Sequence, residues 1–113
     1  MNALKLGIES FRKKKPDFRL LACEEYSEIF ILGIYHKRMY DLVDEDPLDI
    51  ATSAFVINKK TGDVNMTNTF IDLPIMKIID EEESKEIDIT NYMTDEEINF
   101  QEKYMKVLSN LSK

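Results

Sequence analysis

The chain has 113 residues, of which 43% are apolar and 33% charged, and its formal net charge is -7. That length suits one domain around one core, and the apolar share is that of a globular protein rather than a disordered one. With 22 Asp and Glu against 15 Lys and Arg, the chain lacks the basic excess that a general nucleic-acid binder needs for phosphate neutralisation, and it suits a protein partner with a basic surface better.

The residues after Met1 do not combine a basic region with an apolar stretch as a signal peptide does. No run approaches the roughly 20 apolar residues of a membrane span. A single cysteine, Cys23, cannot form an internal disulfide, so the expectation is a cytoplasmic protein that does not engage a membrane.

Leu4, Ile8 and Phe11 recur at helical spacing opposite Lys5, Glu9, Arg12 and Lys13, which predicts an amphipathic helix over about 2–14 that ends before Pro16. Two apolar runs follow, Phe18 to Cys23 and Ile29 to Tyr35, separated by Glu24-Glu25-Tyr26-Ser27-Glu28. They read as a β-hairpin, and placing Glu25 opposite Glu28 sets Cys23 against Phe30, Ala22 against Ile31 and Leu20 against Gly33. One face then carries Phe18, Leu20, Ala22, Ile31 and Tyr35, and the other Leu21, Cys23, Phe30, Leu32 and Ile34. A sheet that is apolar on both sides needs cover on both sides.

Lys37 to Thr52 shows no clear periodicity and reads as an acidic loop, with room for one helical turn after Pro47. Ala54 to Asn58 and Asp63 to Thr69 flank Lys59-Lys60-Thr61-Gly62, a hairpin connection in which Gly62 supplies a positive φ. Setting Asn58 opposite Asp63 puts Phe55, Ile57, Val64 and Met66 on one face, and Asn58, Asp63, Asn65 and Thr67 on a solvated one. Pro74 opens a short helix. Residues 81–93 form an acidic bridge in which Ile87 to Ile89 is a brief extended piece. Thr94-Asp95-Glu96-Glu97 matches a capping box, and Phe100, Tyr104, Val107, Leu108 and Leu111 continue at helical spacing, so 94–112 reads as a C-terminal amphipathic helix. The expected fold is α+β in a single domain over 1–113, with two antiparallel hairpins in one sheet and a helix packed on it as in cystatin-like folds.

Catalysis by cysteine needs a base within hydrogen-bond reach. His36 is the one histidine, and the hairpin register places it about 20 Å from Cys23 along the ladder. One Cys and one His cannot supply a zinc site. Asp41, Asp44, Glu45, Asp46 and Asp49 cluster, but Pro47 and Leu48 break the EF-hand spacing. Acid–base work by paired carboxylates would need a cleft holding two of them, one with a raised pKa. No Gly-rich phosphate loop or nucleophile elbow is present. These readings point to a protein that is not an enzyme and uses neither metal nor cofactor.

The stretch from Ile50 to Val64, with Ala54-Phe55-Val56-Ile57-Asn58-Lys59-Lys60-Thr61-Gly62-Asp63-Val64 at its centre, followed by Thr69 and the Pro74 helix, resembles the immunity protein 35 family of bacterial toxin systems. The resemblance covers about residues 3 to 80. In that family's signature a proline stands where this chain has Ala54 and an aspartate where it has Asn58. The resemblance implies a non-catalytic protein that neutralises a cognate toxin by binding it. Asp41, Asp44, Glu45, Asp46 and Asp49, with Asp80, Glu81, Glu82 and Glu83, are the acids expected to face a basic partner. A phage or bacterial structural subunit that self-assembles, for instance as a homodimer, is the alternative that the two-faced apolar hairpin suggests.

Overall fold

The computed structural model describes residues 2–46, 50, 52–62, 64–67 and 73–111. Asn2 accepts from the Lys5 N–H at 3.0 Å through its side chain and starts helix α1, Ala3–Lys14. Ile8 and Phe11 of α1 are buried, one helical turn apart, as the sequence spacing predicts. Strands β1, Phe18–Glu25, β2, Ile29–His36, β3, Thr52–Asn58, and β4, Val64–Thr67, follow in antiparallel succession. A fifth strand, β5, Lys85–Ile87, returns to the far edge, so the sheet order is β4-β3-β2-β1-β5. The α+β reading, with both hairpins in one sheet, holds. Within the expected bridge of 81–93, the brief extended piece expected at Ile87 to Ile89 forms instead at Lys85–Ile87, where Ile87, Glu86 and Lys85 pair with Cys23, Glu24 and Glu25.

The first hairpin differs from the expected register. Glu25 pairs with Phe30, Cys23 with Leu32 and Ala22 with Gly33. Its turn is tight, closed by a 2.9 Å bond from the Tyr26 N–H to the Ile29 carbonyl. Tyr26 and Ile29 are drawn into a buried cluster with Val56, against which Ile78 and Ile79 of helix α3, Leu73–Glu81, pack. Apolar burial, not the polar residues between the runs, sets where this hairpin turns.

A β-bulge between Leu20 and Ala22 then changes which residues share a face. Leu20 joins Phe18, Cys23, Leu32 and Ile34 in the core beneath α1, where Phe11 meets Phe55 edge-on at 5.3 Å. Leu21, Ala22 and Tyr35 belong to the opposite side. The expected grouping of Phe18 and Leu20 with Ala22 and Tyr35 is therefore wrong, because a bulge inverts the alternation that an unbroken strand would keep.

The opposite side is covered by two helices. Residues expected as a loop form α2, Met39–Glu45, whose Met39 and Val43 are buried four residues apart. One such pair is too short a pattern to reveal a helix by periodicity. The turn expected after Pro47 lies outside the described residues. Helix α4, Asp95–Leu111, stacks Phe100 on Tyr35 with ring centroids 3.7 Å apart and 11° between planes. Both faces of the first hairpin thus find cover within the chain.

The second hairpin keeps its expected register, with Ile57 opposite Val64 and Phe55 opposite Met66. Its turn is held by Asn58, whose side-chain oxygen accepts from the Lys60 and Thr61 N–H groups at 2.9 and 3.1 Å, and Gly62 has φ +74°. The outer face is not wholly solvated, because Val56 is buried under α3.

Candidate functional site

The acids expected to face a partner divide between two elements. Asp41, Asp44 and Glu45 are exposed on α2, and Asp46 is exposed at its C-terminal end. Asp44 takes a 2.9 Å bond from Lys103 of α4. Asp49 lies outside the described residues. Asp80, Glu81 and Glu83 are exposed at and beyond the end of α3. Glu82 accepts from the Ser27 N–H in the β1–β2 turn at 3.0 Å, and that bond holds its carboxyl below the usual range. α2 packs near Tyr35 at one end of β2, and α3 is tied to the turn at the other end, so the fold does not merge these acids into one cluster. Among the described residues no group of three or more His, Cys, Asp or Glu side chains is placed to hold a metal ion.

Cys23 and His36 sit at opposite ends of the ladder, opposite Leu32 and Phe18 respectively, about 15 Å apart at ~3.3 Å per residue. Burial pushes the Cys23 thiol up to about 12, and Glu25 and Glu24 add to the shift. It stays protonated at neutral pH and behaves as a small apolar side chain. Burial likewise raises the Tyr35 phenol, with Glu97 next in effect, and its hydroxyl has no hydrogen-bond partner among the described residues.

Glu97 is the residue whose place the sequence did not reveal. Its capping box forms as expected: the Glu97 N–H donates to the Thr94 hydroxyl at 3.2 Å, and the Thr94 N–H donates to the Glu97 carboxylate at 2.8 Å. The same carboxylate is fully buried and receives both Arg12 guanidinium nitrogens at 2.6 Å and the Leu20 N–H at 2.5 Å. Arg12 also donates to the Tyr92 carbonyl at 2.9 Å. Burial opposes ionisation, but the bonds from Arg12, Thr94 and Leu20 outweigh it and hold the carboxyl below its usual range. One helical turn further on, the Gln101 side chain donates to the Leu21 carbonyl at 2.6 Å. Glu97 and Gln101 thus satisfy β1 backbone groups at the bulge, beyond the reach of the short β5.

The point where α4 takes over from β5 leaves a groove of about 390 Å³ that opens to solvent. Ile87, Ala22 and Met105 supply apolar lining, and Glu86, Asp88 and Gln101 polar lining. Glu86 lies directly across from Glu24 on β1, and both are exposed. Asp88 accepts from the Thr90 N–H and hydroxyl at 3.0 and 2.7 Å, and these bonds lower its pKa. It is therefore poised as an anion rather than as a general acid. Its place was legible in part, since the alternation Glu86-Ile87-Asp88-Ile89 sets two acids on one side of an extended chain.

A second depression, of about 320 Å³, is lined by Arg12, Lys15, Phe18, Arg19, Thr94 and Glu96. Its arginines already have partners: Arg12 binds Glu97, and Arg19 donates to the Pro16 and Phe18 carbonyls at 2.7 and 3.0 Å with Glu96 3.5 Å away. Among the described residues no helix is long and apolar enough to cross a membrane. No protein-family model, curated protein or solved structure matches this chain.

Proposed function

We propose that this protein is a non-catalytic binding protein that recognises a basic protein partner, and that it acts as an immunity-type inhibitor that neutralises a toxin by direct contact. The observation that carries this reading is the exposure of Asp41, Glu45, Asp46, Asp80, Glu81 and Glu83 without ion pairs to other described residues. A chain of net charge -7 that leaves its acids unneutralised at the surface steers a basic partner toward it. The resemblance over residues 3 to 80 supports the toxin-neutralising form of the reading. The alternative of a self-assembling subunit loses its motive, because α1 covers one face of the first hairpin and α2 and α4 cover the other.

Co-expression with the proteins encoded beside it in its genome tests the proposal. The expected result is a complex with one basic neighbour that dissociates as salt is raised, together with relief of that neighbour's toxicity. Charge reversal at Asp41, Glu45 and Asp46, combined with reversal at Asp80, Glu81 and Glu83, is expected to abolish the relief. A wild-type chain that forms no complex and gives no protection would overturn the reading.

A further inference from the structure

The groove between β5 and α4 combines acidic and apolar lining. Glu86 and Glu24 lie directly opposite each other on neighbouring strands, an arrangement of like charges that destabilises a sheet. Asp88, just past the end of β5, lines the same groove, and its carboxylate accepts from the Thr90 N–H and hydroxyl. None of the three carboxylates forms an ion pair with a described residue. Beside them, Met105 lines the groove and is 40% exposed, and Leu108, one turn along α4, is 42% exposed. Leu108 belongs to the apolar periodicity that predicts a buried face, yet the structure leaves it at the surface.

We infer that this groove is the anchor pocket for an arginine side chain of the basic partner, an inference that rests on the binding reading above. A planar guanidinium can donate to Glu86 and Asp88 at once, and its methylene stem can lie along Ala22 and Met105, which line the groove on the α4 side of the sheet. A cation placed there relieves the repulsion between Glu86 and Glu24. The exposed Met105 and Leu108 then provide apolar contact next to the charged pocket, the pattern of an interface core bordered by polar groups. Arginine suits the site better than lysine because the two carboxylates call for donors fixed in a fork.

The test is a titration of the full chain, followed by backbone amide NMR, with the capped tripeptide acetyl-Gly-Arg-Gly-amide, and with the same peptide carrying neutral, isosteric citrulline. The expected result is saturable shifts at Glu86–Thr90, Gln101 and Met105 with a dissociation constant on the order of millimolar, and none of these shifts with citrulline. Glu86→Gln should weaken the arginine peptide at least about 5-fold, as loss of a charge-assisted bond implies. Met105→Ser should weaken it less, and an unchanged spectrum elsewhere would show that both variants fold. Equal shifts with both peptides, or no shift at the groove, would overturn the inference. Arginine-specific shifts confined to α2 and the end of α3 would overturn the groove but leave the broader binding reading standing, whereas that reading fails only if co-expression yields no partner.

Discussion

Glu97 is the one charged side chain among the described residues that is buried. It is fully buried and accepts from Arg12, Thr94 and Leu20, so three elements meet on one carboxylate. Glu97→Gln would keep the shape and the cap but leave Arg12 without its counter-ion, at a cost of about 3 kcal/mol. Urea unfolding would show this as a lowered midpoint with an unchanged slope. The pH dependence has a definite sign: the folded-state pKa lies below the usual 4.5, so the unfolded chain binds the proton more readily. The ion pair's contribution is complete above 4.5 and is lost as pH falls through the depressed folded-state value. The Gln variant should therefore show a flatter fall in stability over that acidic window. Tyr35 gives the opposite case, because its buried hydroxyl has no partner among the described residues. Tyr35→Phe should leave stability within about 0.5 kcal/mol of wild type or raise it, and a loss well beyond that would mean that a water molecule serves the hydroxyl.

At the scale of elements, the pieces marked by local chemistry were the ones that could be read in advance. The α1 stripe of Ile8 and Phe11, the turn made by Asn58 and Gly62, and the Thr94 cap of α4 all depend on neighbours within a few residues. What escaped reading depends on distant partners. α2 is fixed by burying Met39 and Val43 against Tyr35 and Phe100, the bulge at Leu21 is served by Glu97 and Gln101 of α4, and β5 exists by pairing with β1. The close docking of α1 on the sheet yields a prediction of its own. A Cβ added at Gly7 would come under 3.0 Å from the side chain of Ile57, which is fully buried. Alanine favours a helix over glycine by about 1 kcal/mol, but overpacking costs about 1–3 kcal/mol. Gly7→Ala should therefore be destabilising on balance, with a Tm lowered by about 4 °C, and a raised Tm would mean that α1 is free to lift from β3.

At the scale of the whole molecule, the net charge of -7 and the covered hairpin faces act together. Like charge keeps copies of the chain apart, and neither large apolar face of the first hairpin is left open to draw them together. Sedimentation velocity is expected to show one species of 13.3 kDa from low to high micromolar concentration at physiological salt. A concentration-dependent shift to twice that mass would instead assign the exposed Met105 and Leu108 to contact between copies. The described acids that the sequence marked as a partner surface lie on or just beyond α2 and α3, and the groove with Glu86 and Asp88 lies between β5 and α4, in a stretch that reads along the chain as an acidic bridge with a brief extended piece.

By itself the sequence determined the α+β class, the amphipathic helices at both ends, the register of the second hairpin and the acidic character of the surface. These follow from periodicity, turn residues and charge, which act over short distances along the chain. Tertiary structure alone decided which side of the sheet each β1 residue faces, that a capping glutamate would also be the buried partner of Arg12, and that Glu86 and Asp88 would meet Met105 across a groove. Each of these is a contact between residues far apart in sequence, selected by burial and by the need to satisfy every buried polar group, and no local pattern encodes it.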